Sequence, residues 1–194
     1  NSTILNNDAA NSGGGIESTG NNKPFNMDNT LVANNTVNGV ANDLGGTLNV
    51  NGVNNLIGDA DSSANLSDGV NGNIVGDEGA GTLDISTVIE TVLRDNGGTN
   101  LKNAMISEGI AVDAGDNDAA ASLTVDQRGE IRLFEGDGLD EANVDIGAFE
   151  QQIAVSPPTT FVVDILDDEN EGDFSEGDLS MREAIALANN RNSA

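Results

Sequence analysis

The chain has 194 residues with 24 Gly, 3% aromatics and no Cys, His, Trp or Tyr, so apolar area must be buried in small aliphatic units. Without Cys or His, nucleophilic catalysis through a thiol or an imidazole is impossible. A formal charge of −26, from 33 acidic and 7 basic residues, leaves no basic face for nucleic acid and demands screening or bound cations.

Hydrophobic residues make up 37% of the chain and fall in regular aliphatic pairs, which argues against disorder throughout. No apolar run approaches the ~20 residues of a membrane span. The first residues, Asn1-Ser2-Thr3, stand inside a pattern, as in a processed product or a piece of a longer polypeptide. The lack of Cys leaves the redox compartment open.

Residues 1–80 contain 19 Asn and repeat a polar residue, two aliphatics and a small or polar turn. The unit appears as Thr3-Ile4-Leu5-Asn6-Asn7, Thr30-Leu31-Val32-Ala33-Asn34, Asn55-Leu56-Ile57-Gly58-Asp59 and Asn73-Ile74-Val75-Gly76-Asp77, with the pairs spaced by 27, 25 and 18 residues. That spacing suits one coil of a β-solenoid, and Val40, Leu44, Leu48 and Val50 would line the other sides of a coil. Asn and Gly suit the corners, because both tolerate left-handed backbone, and stacked Asn side chains can form ladders. The predicted fold is all-β: a right-handed parallel β-helix with a short capping helix near the C-terminus.

Residues 81–154 change character. Strands or one short helix are expected over residues 85–93, and Arg94-Asp95-Asn96-Gly97-Gly98-Thr99 is a turn signal. The series Leu93-Arg94-Asp95-Asn96-Gly97-Gly98-Thr99, Asp113-Ala114-Gly115-Asp116, Thr124-Val125-Asp126-Gln127-Arg128-Gly129 and Val144-Asp145-Ile146-Gly147-Ala148-Phe149-Glu150 resembles the C-terminal module of bacterial surface β-helix proteins of the choice-of-anchor Q type, over about residues 92–150. The resemblance implies that this stretch closes a β-helix and that the protein is extracellular and bacterial.

Residues 155–160 read as an extended Pro-rich linker. In 161–194, Phe161, Val163 and Ile165 belong to a strand candidate, an acidic loop runs from Asp167 to Asp178, and Ser180-Met181-Arg182-Glu183 opens a helix. Ser180 and Glu183 form a capping box, while Met181, Ala184, Ile185 and Ala188 make one apolar face. Such a helix can lid the open end of a β-helix. The segment resembles the domain family named for its Cys-Ser-Leu-Arg-Glu-Ala motif, with Leu179 and Met181 replacing the Cys and Leu. In that family the motif starts a β-helix.

Here the starting motif follows the closing one. The chain therefore spans the junction of two tandem units, or its C-terminal piece caps the coils of another copy. Both arrangements give a linear assembly of copies or repeats, head to tail; the alternative is that residues 161–194 fold back on their own chain or remain a tail.

Calcium is the cofactor the acidic loops point to, with Asp113, Asp116, Asp118, Asp167, Glu169, Glu171, Asp173 and Asp178 as candidate ligands. The loop from Asp167 imitates an EF-hand count, but Glu stands where a shorter side chain is needed and no helix precedes it, so a true EF-hand is rejected. A solvated acidic loop is the alternative. The acceptor patterns at Asn1, Asn34 and Asn65 arise by chance in a chain this rich in Asn.

An enzyme is not expected. Only Arg94, Lys102, Arg128 and Arg132 could serve as bases for a β-helix polysaccharide lyase, and Arg128 and Arg132 are expected to pair with Asp126 or Glu130. The leading reading is a structural subunit of a bacterial extracellular fibre, sheath or surface array. The alternatives are a calcium-dependent adhesin or polysaccharide-binding stalk and, third, a polysaccharide-active enzyme.

Overall fold

The computed structural model describes residues 1–18, 20, 24–134, 142–152 and 181. The chain divides into two units, Asn1–Ile153 and Ala154–Ala194. In the second, Met181 is helical and 62% exposed; the linker and the rest of the strand, acidic loop and capping helix expected there lie outside the described residues.

The first unit is mostly strand with little helix. Its strands are β1 (Thr3–Leu5), β2 (Asp8–Ala9), β3 (Ile16–Ser18), β4 (Pro24–Asn26), β5 (Leu31–Ala33), β6 (Thr36–Val37), β7 (Val40–Ala41), β8 (Leu44–Gly46), β9 (Asn49–Asn51), β10 (Leu56–Ile57) and β11 (Ile74–Val75). The one described α-helix is α1 (Asn117–Ala120), and the segment expected as strands or a helix at 85–93 holds a 3-10 turn at Ile85–Thr87.

The strands form short, separate sheets. Four lie side by side in the order β1-β5-β10-β11, all parallel, with Thr3, Leu31, Leu56 and Ile74 in register. Three smaller sheets pair β2 with β6, β3 with β8 and β4 with β9, again in parallel, while β7 turns back antiparallel onto β6. Ladder partners stand 28 residues apart at Asn6 and Asn34, 25 at Thr30 and Asn55, and 18 at Asn55 and Asn73. The first interval thus exceeds the 27 residues read from the aliphatic pairs, because Thr3, not Ile4, stands opposite Leu31. A one-residue shift exchanges the faces of a strand, so Ile4 aligns with Val32 and Leu5 with Ala33.

That register explains why the aliphatics come in pairs. Successive side chains point to opposite faces, so a pair marks a strand buried on both. Ile4, Val32, Ile57 and Val75 face one cluster with Ile16, Leu44, Val50 and Met27. Leu5, Leu31, Ala33, Leu56 and Ile74 face the other, beneath Ile85, Val88, Ile89, Met105, Val112, Ile146 and Phe149. Side chains from 83–114 and 146–149 therefore pack on one face of the four-stranded sheet. Val40, expected inside, is 70% exposed, whereas Leu44 and Val50 are buried.

Asn makes the corners. Asn6, Asn29, Asn34, Asn38, Asn54 and Asn71 all have positive φ, a region this short polar side chain tolerates. Asn34 donates Nδ2 to Asn6 Oδ1 at 2.6 Å, Asn51 does so to Asn26 at 3.1 Å, and Asn55 to Asn73 at 3.1 Å. Asn35 is buried among such bonds, giving Nδ2 to the carbonyls of Ile4 and Ala33 and to Asp43 Oδ1. At Gly52 a Cβ would lie 1.7 Å from the Met27 carbonyl oxygen, so the close approach of β9 and β4 requires glycine.

Candidate functional site

Two features stand out: the unlike edges of the sheets, and a buried ion cluster in the closing motif. Residues 60–68 cover one edge. Asn65 accepts the Val50 amide at Oδ1 (2.6 Å) and donates Nδ2 to the Val50 carbonyl (2.9 Å), as a neighbouring strand would. Asp68 Oδ1 accepts the amide of Val75 at 2.9 Å, and the Val75 carbonyl accepts Gly79 N–H at 2.9 Å. Ser62 Oγ accepts the Asp43 amide at 2.7 Å and donates to Asp59 Oδ2 at 2.6 Å. Although β8, β9 and β11 are the last strands of their sheets, Leu44, Val50 and Val75 are each no more than 4% exposed, whereas β7, the last strand of the fourth sheet, is exposed.

Asp43 anchors this covered edge. Its carboxylate accepts the Asn35 amide (3.0 Å), Asn35 Nδ2 (2.9 Å) and the Asp59 amide (2.8 Å). Burial pushes its carboxyl above the usual range, against the pull of these donors.

The opposite edge is different. Among the described residues β1, β2, β3 and β4 are all outermost strands. Ile4, Ile16 and Phe25 continue the columns of Val32, Leu44 and Val50, yet Ile4 and Ile16 are only half-buried and Phe25 is 38% exposed. With Met27 they line a cleft open to solvent. Among the described residues, the columns that are closed at one end carry no further strand at the other.

The ion cluster joins the motif at 144–150 to the rest of the unit. Arg132 is 1% exposed and Glu150 fully buried, with Nη1 3.3 Å from Oε2. Arg132 Nη2 donates to the carbonyls of Asp145 and Gly147, each at 2.8 Å, while Nε and Nη1 have no hydrogen-bond partner among the described residues. Arg128 Nε pairs with Asp126 Oδ2 at 2.8 Å, and its guanidinium lies 3.7 Å over the Phe149 ring. Arg128 thus takes the partner expected for it, whereas Arg132 takes Glu150.

The electrostatics of the cluster are split. Burial pushes Asp145 up to about 7, against the Gln151 and Asp113 amides. Burial, then repulsion from Asp145, push Glu150 up to about 8. The Arg132 contact alone would keep Glu150 ionised, but desolvation outweighs it. Burial acts the same way on Asp126, but the Glu150 and Arg128 amides and the Arg128 guanidinium prevail and hold it below the usual range.

The candidate calcium ligands divide. Asp116 caps α1, accepting the amides of Asp118 (2.8 Å) and Ala119 (3.2 Å). Asp113 Oδ1 accepts the Asn143 amide at 3.3 Å. No group of three acidic side chains placed to hold a metal ion occurs among the described residues. Asp167, Glu169, Glu171, Asp173 and Asp178 lie outside them, as do Phe161, Val163, Ile165, Ser180, Arg182, Glu183 and Ile185. The remaining candidate bases have partners in the chain: Lys102 Nζ donates to the Gly97 carbonyl at 2.6 Å, and Arg94 stands 3.6 Å from Glu90.

Sequence reasoning missed Ser62, Asn65 and Asp68. Their signal is the drop of the interval to 18 residues, which leaves too little chain for a full set of strands. It also missed the pairing of Arg132 with Glu150, whose signal is the presence of two acids, Asp145 and Glu150, in an otherwise apolar stretch at 144–150. No protein-family model matches the chain, and neither a curated protein nor a solved structure shows significant similarity to it.

Proposed function

We propose that the chain is a non-catalytic structural unit of a bacterial extracellular fibre, sheath or surface array, built from coils of a right-handed parallel β-helix. The observation that carries this reading is the repeated parallel pairing of β1, β5, β10 and β11 in one register, with side chains sealing one edge and, among the described residues, no strand on the other. Parallel strands joined by crossovers are right-handed in nearly all sheets, which supports the hand. A bare edge with apolar columns behind it suits lengthwise association.

A structural role is supported by the engagement of Arg94, Lys102, Arg128 and Arg132 within the chain. The bacterial surface setting rests on the residue resemblances at 92–150 and 161–192 alone. Calcium would serve to screen a chain of charge −26, with the loop at 167–178 as its candidate site. A second reading, a polysaccharide-binding stalk, draws on a cleft lined by Asn49, Asn51, Asn65, Asn71 and Asn73, whose amides could meet sugar hydroxyls.

Electron microscopy and sedimentation of the full chain across concentration and calcium test the assembly. Linear multimers are expected, and monomers under every condition would overturn the reading. Glycan binding by monomers would favour the stalk.

A further inference from the structure

The two edges differ in a way that gives lengthwise association a direction. At the covered edge, Asn65 and Asp68 take the outward amides of Val50 and Val75, so an incoming strand would find those donors occupied. At the β1 edge the reverse holds. Parallel-sheet geometry turns alternate amides and carbonyls of β1 away from β5, and the columns behind them end at half-exposed Ile4, Ile16 and Phe25. A strand placed there would extend the four-stranded sheet, and its inward side chains would cover the Phe25 cleft.

The chain carries a segment with the required pattern. A strand next to β1 must be apolar on both faces, because Ile4 and Leu5 belong to opposite clusters. The pairs Leu31-Val32, Leu56-Ile57 and Ile74-Val75 meet that condition within the sheet. Outside the described residues, Phe161-Val162-Val163-Asp164-Ile165-Leu166 repeats adjacent apolar residues in the same way, after the Pro157-Pro158 break. It belongs to the second unit, Ala154–Ala194.

We infer that the β1 edge, with Ile4, Ile16 and Phe25 behind it, accepts residues 161–166 of a second copy as an added parallel strand, and that assembly is one-directional because residues 60–68 close the opposite edge. The inference rests on the linear-assembly reading above and names its contact. Each copy has one acceptor and one donor, so the contact is head to tail, and it builds open chains of copies wherever the rotation between copies does not close a ring. Acidic copies repel, so added salt or calcium strengthens the contact.

Complementary full-length variants test it. Phe25→Asp places a charge in the acceptor cleft, and Val163→Pro removes a strand donor from 161–166. Each alone is expected to weaken association by about tenfold or more, leaving monomers where the parent chain forms multimers. Mixed in equal amounts, they are expected to form heterodimers and nothing longer, because intact donors in the first meet intact acceptors in the second. Val70→Asp, at the covered end and 54% exposed in the parent, is expected to assemble as the parent does. Multimers of the parent that persist in both variants would overturn the contact and leave linear assembly standing. A mixture without heterodimers would likewise overturn it, whatever each variant does alone. Monomers of the parent under every condition would overturn both.

Discussion

Asn65 lies beside Val50 as a substitute strand, taking its amide at 2.6 Å and giving to its carbonyl at 2.9 Å. One primary amide offers both a donor and an acceptor, so a single side chain can satisfy both groups of an edge residue. Leu66, its neighbour, packs on the column behind Val50. Sealing by hydrogen bonds and sealing by apolar cover thus come from adjacent residues.

Asn65→Ala is expected to leave the Val50 amide unpaired at a buried position and to cost about 1–3 kcal/mol in chemical denaturation. A cost within experimental error would mean that the amide finds another partner and that Asn65 does not seal the edge.

Removing one partner of the buried Arg132–Glu150 pair strands the other. Above pH ~8, where Glu150 is ionised, Arg132→Met is expected to destabilise the fold by about 3–5 kcal/mol by leaving a buried carboxylate uncompensated, and by less at pH ~5, where Glu150 is protonated. Equal losses at the two pH values would show that Arg132 acts through the Asp145 and Gly147 carbonyls instead.

The raised acids make stability fall as pH rises. Burial takes Asp145 and Glu150 from their ordinary 3.8 and 4.5 up to about 7 and about 8, so the folded unit binds more protons than the unfolded chain between those limits. Their contribution is full below the unfolded values and is lost as pH rises through the folded ones. Asp126, held low, acts oppositely and matters only in acid. The melting temperature should therefore be higher at pH ~5 than at pH ~8, and Asp145→Asn with Glu150→Gln should flatten that slope. An unchanged slope in the double variant would assign it to the raised Asp43 or to general charge repulsion.

Asp116→Ala removes the cap of α1 and is expected to cost about 1 kcal/mol while leaving any calcium-induced rise in melting temperature intact. Loss of the calcium response in this variant would place the ion at Asp113, Asp116 and Asp118 rather than at 167–178.

Much of the first unit was legible from adjacent aliphatics and Asn. Pairs such as Leu56-Ile57 mark two-sided burial, and Asn6 and Asn34 mark corners where left-handed backbone is needed. The register between Ile4 and Val32 was not legible, since a one-residue shift leaves the pattern of apolar pairs almost unchanged. The roles of Asn65 and Asp68 were hidden for a related reason. In a chain this rich in Asn and Asp, a side chain that seals an edge has the same composition as one that turns a corner. The Arg132–Glu150 pair spans 18 positions and depends on how 142–152 returns to the sheet, which local spacing does not encode.

Amide hydrogen exchange, read residue by residue, tests the unlike edges most directly. The amides of Val50 and Val75 should be protected at every concentration, because Asn65 and Asp68 hold them. Those of Thr3 and Leu5 should exchange rapidly in monomers and gain protection only as multimers form. Free exchange at Val75, or equal protection of β1 in monomers and multimers, would contradict a sealed edge facing an open one.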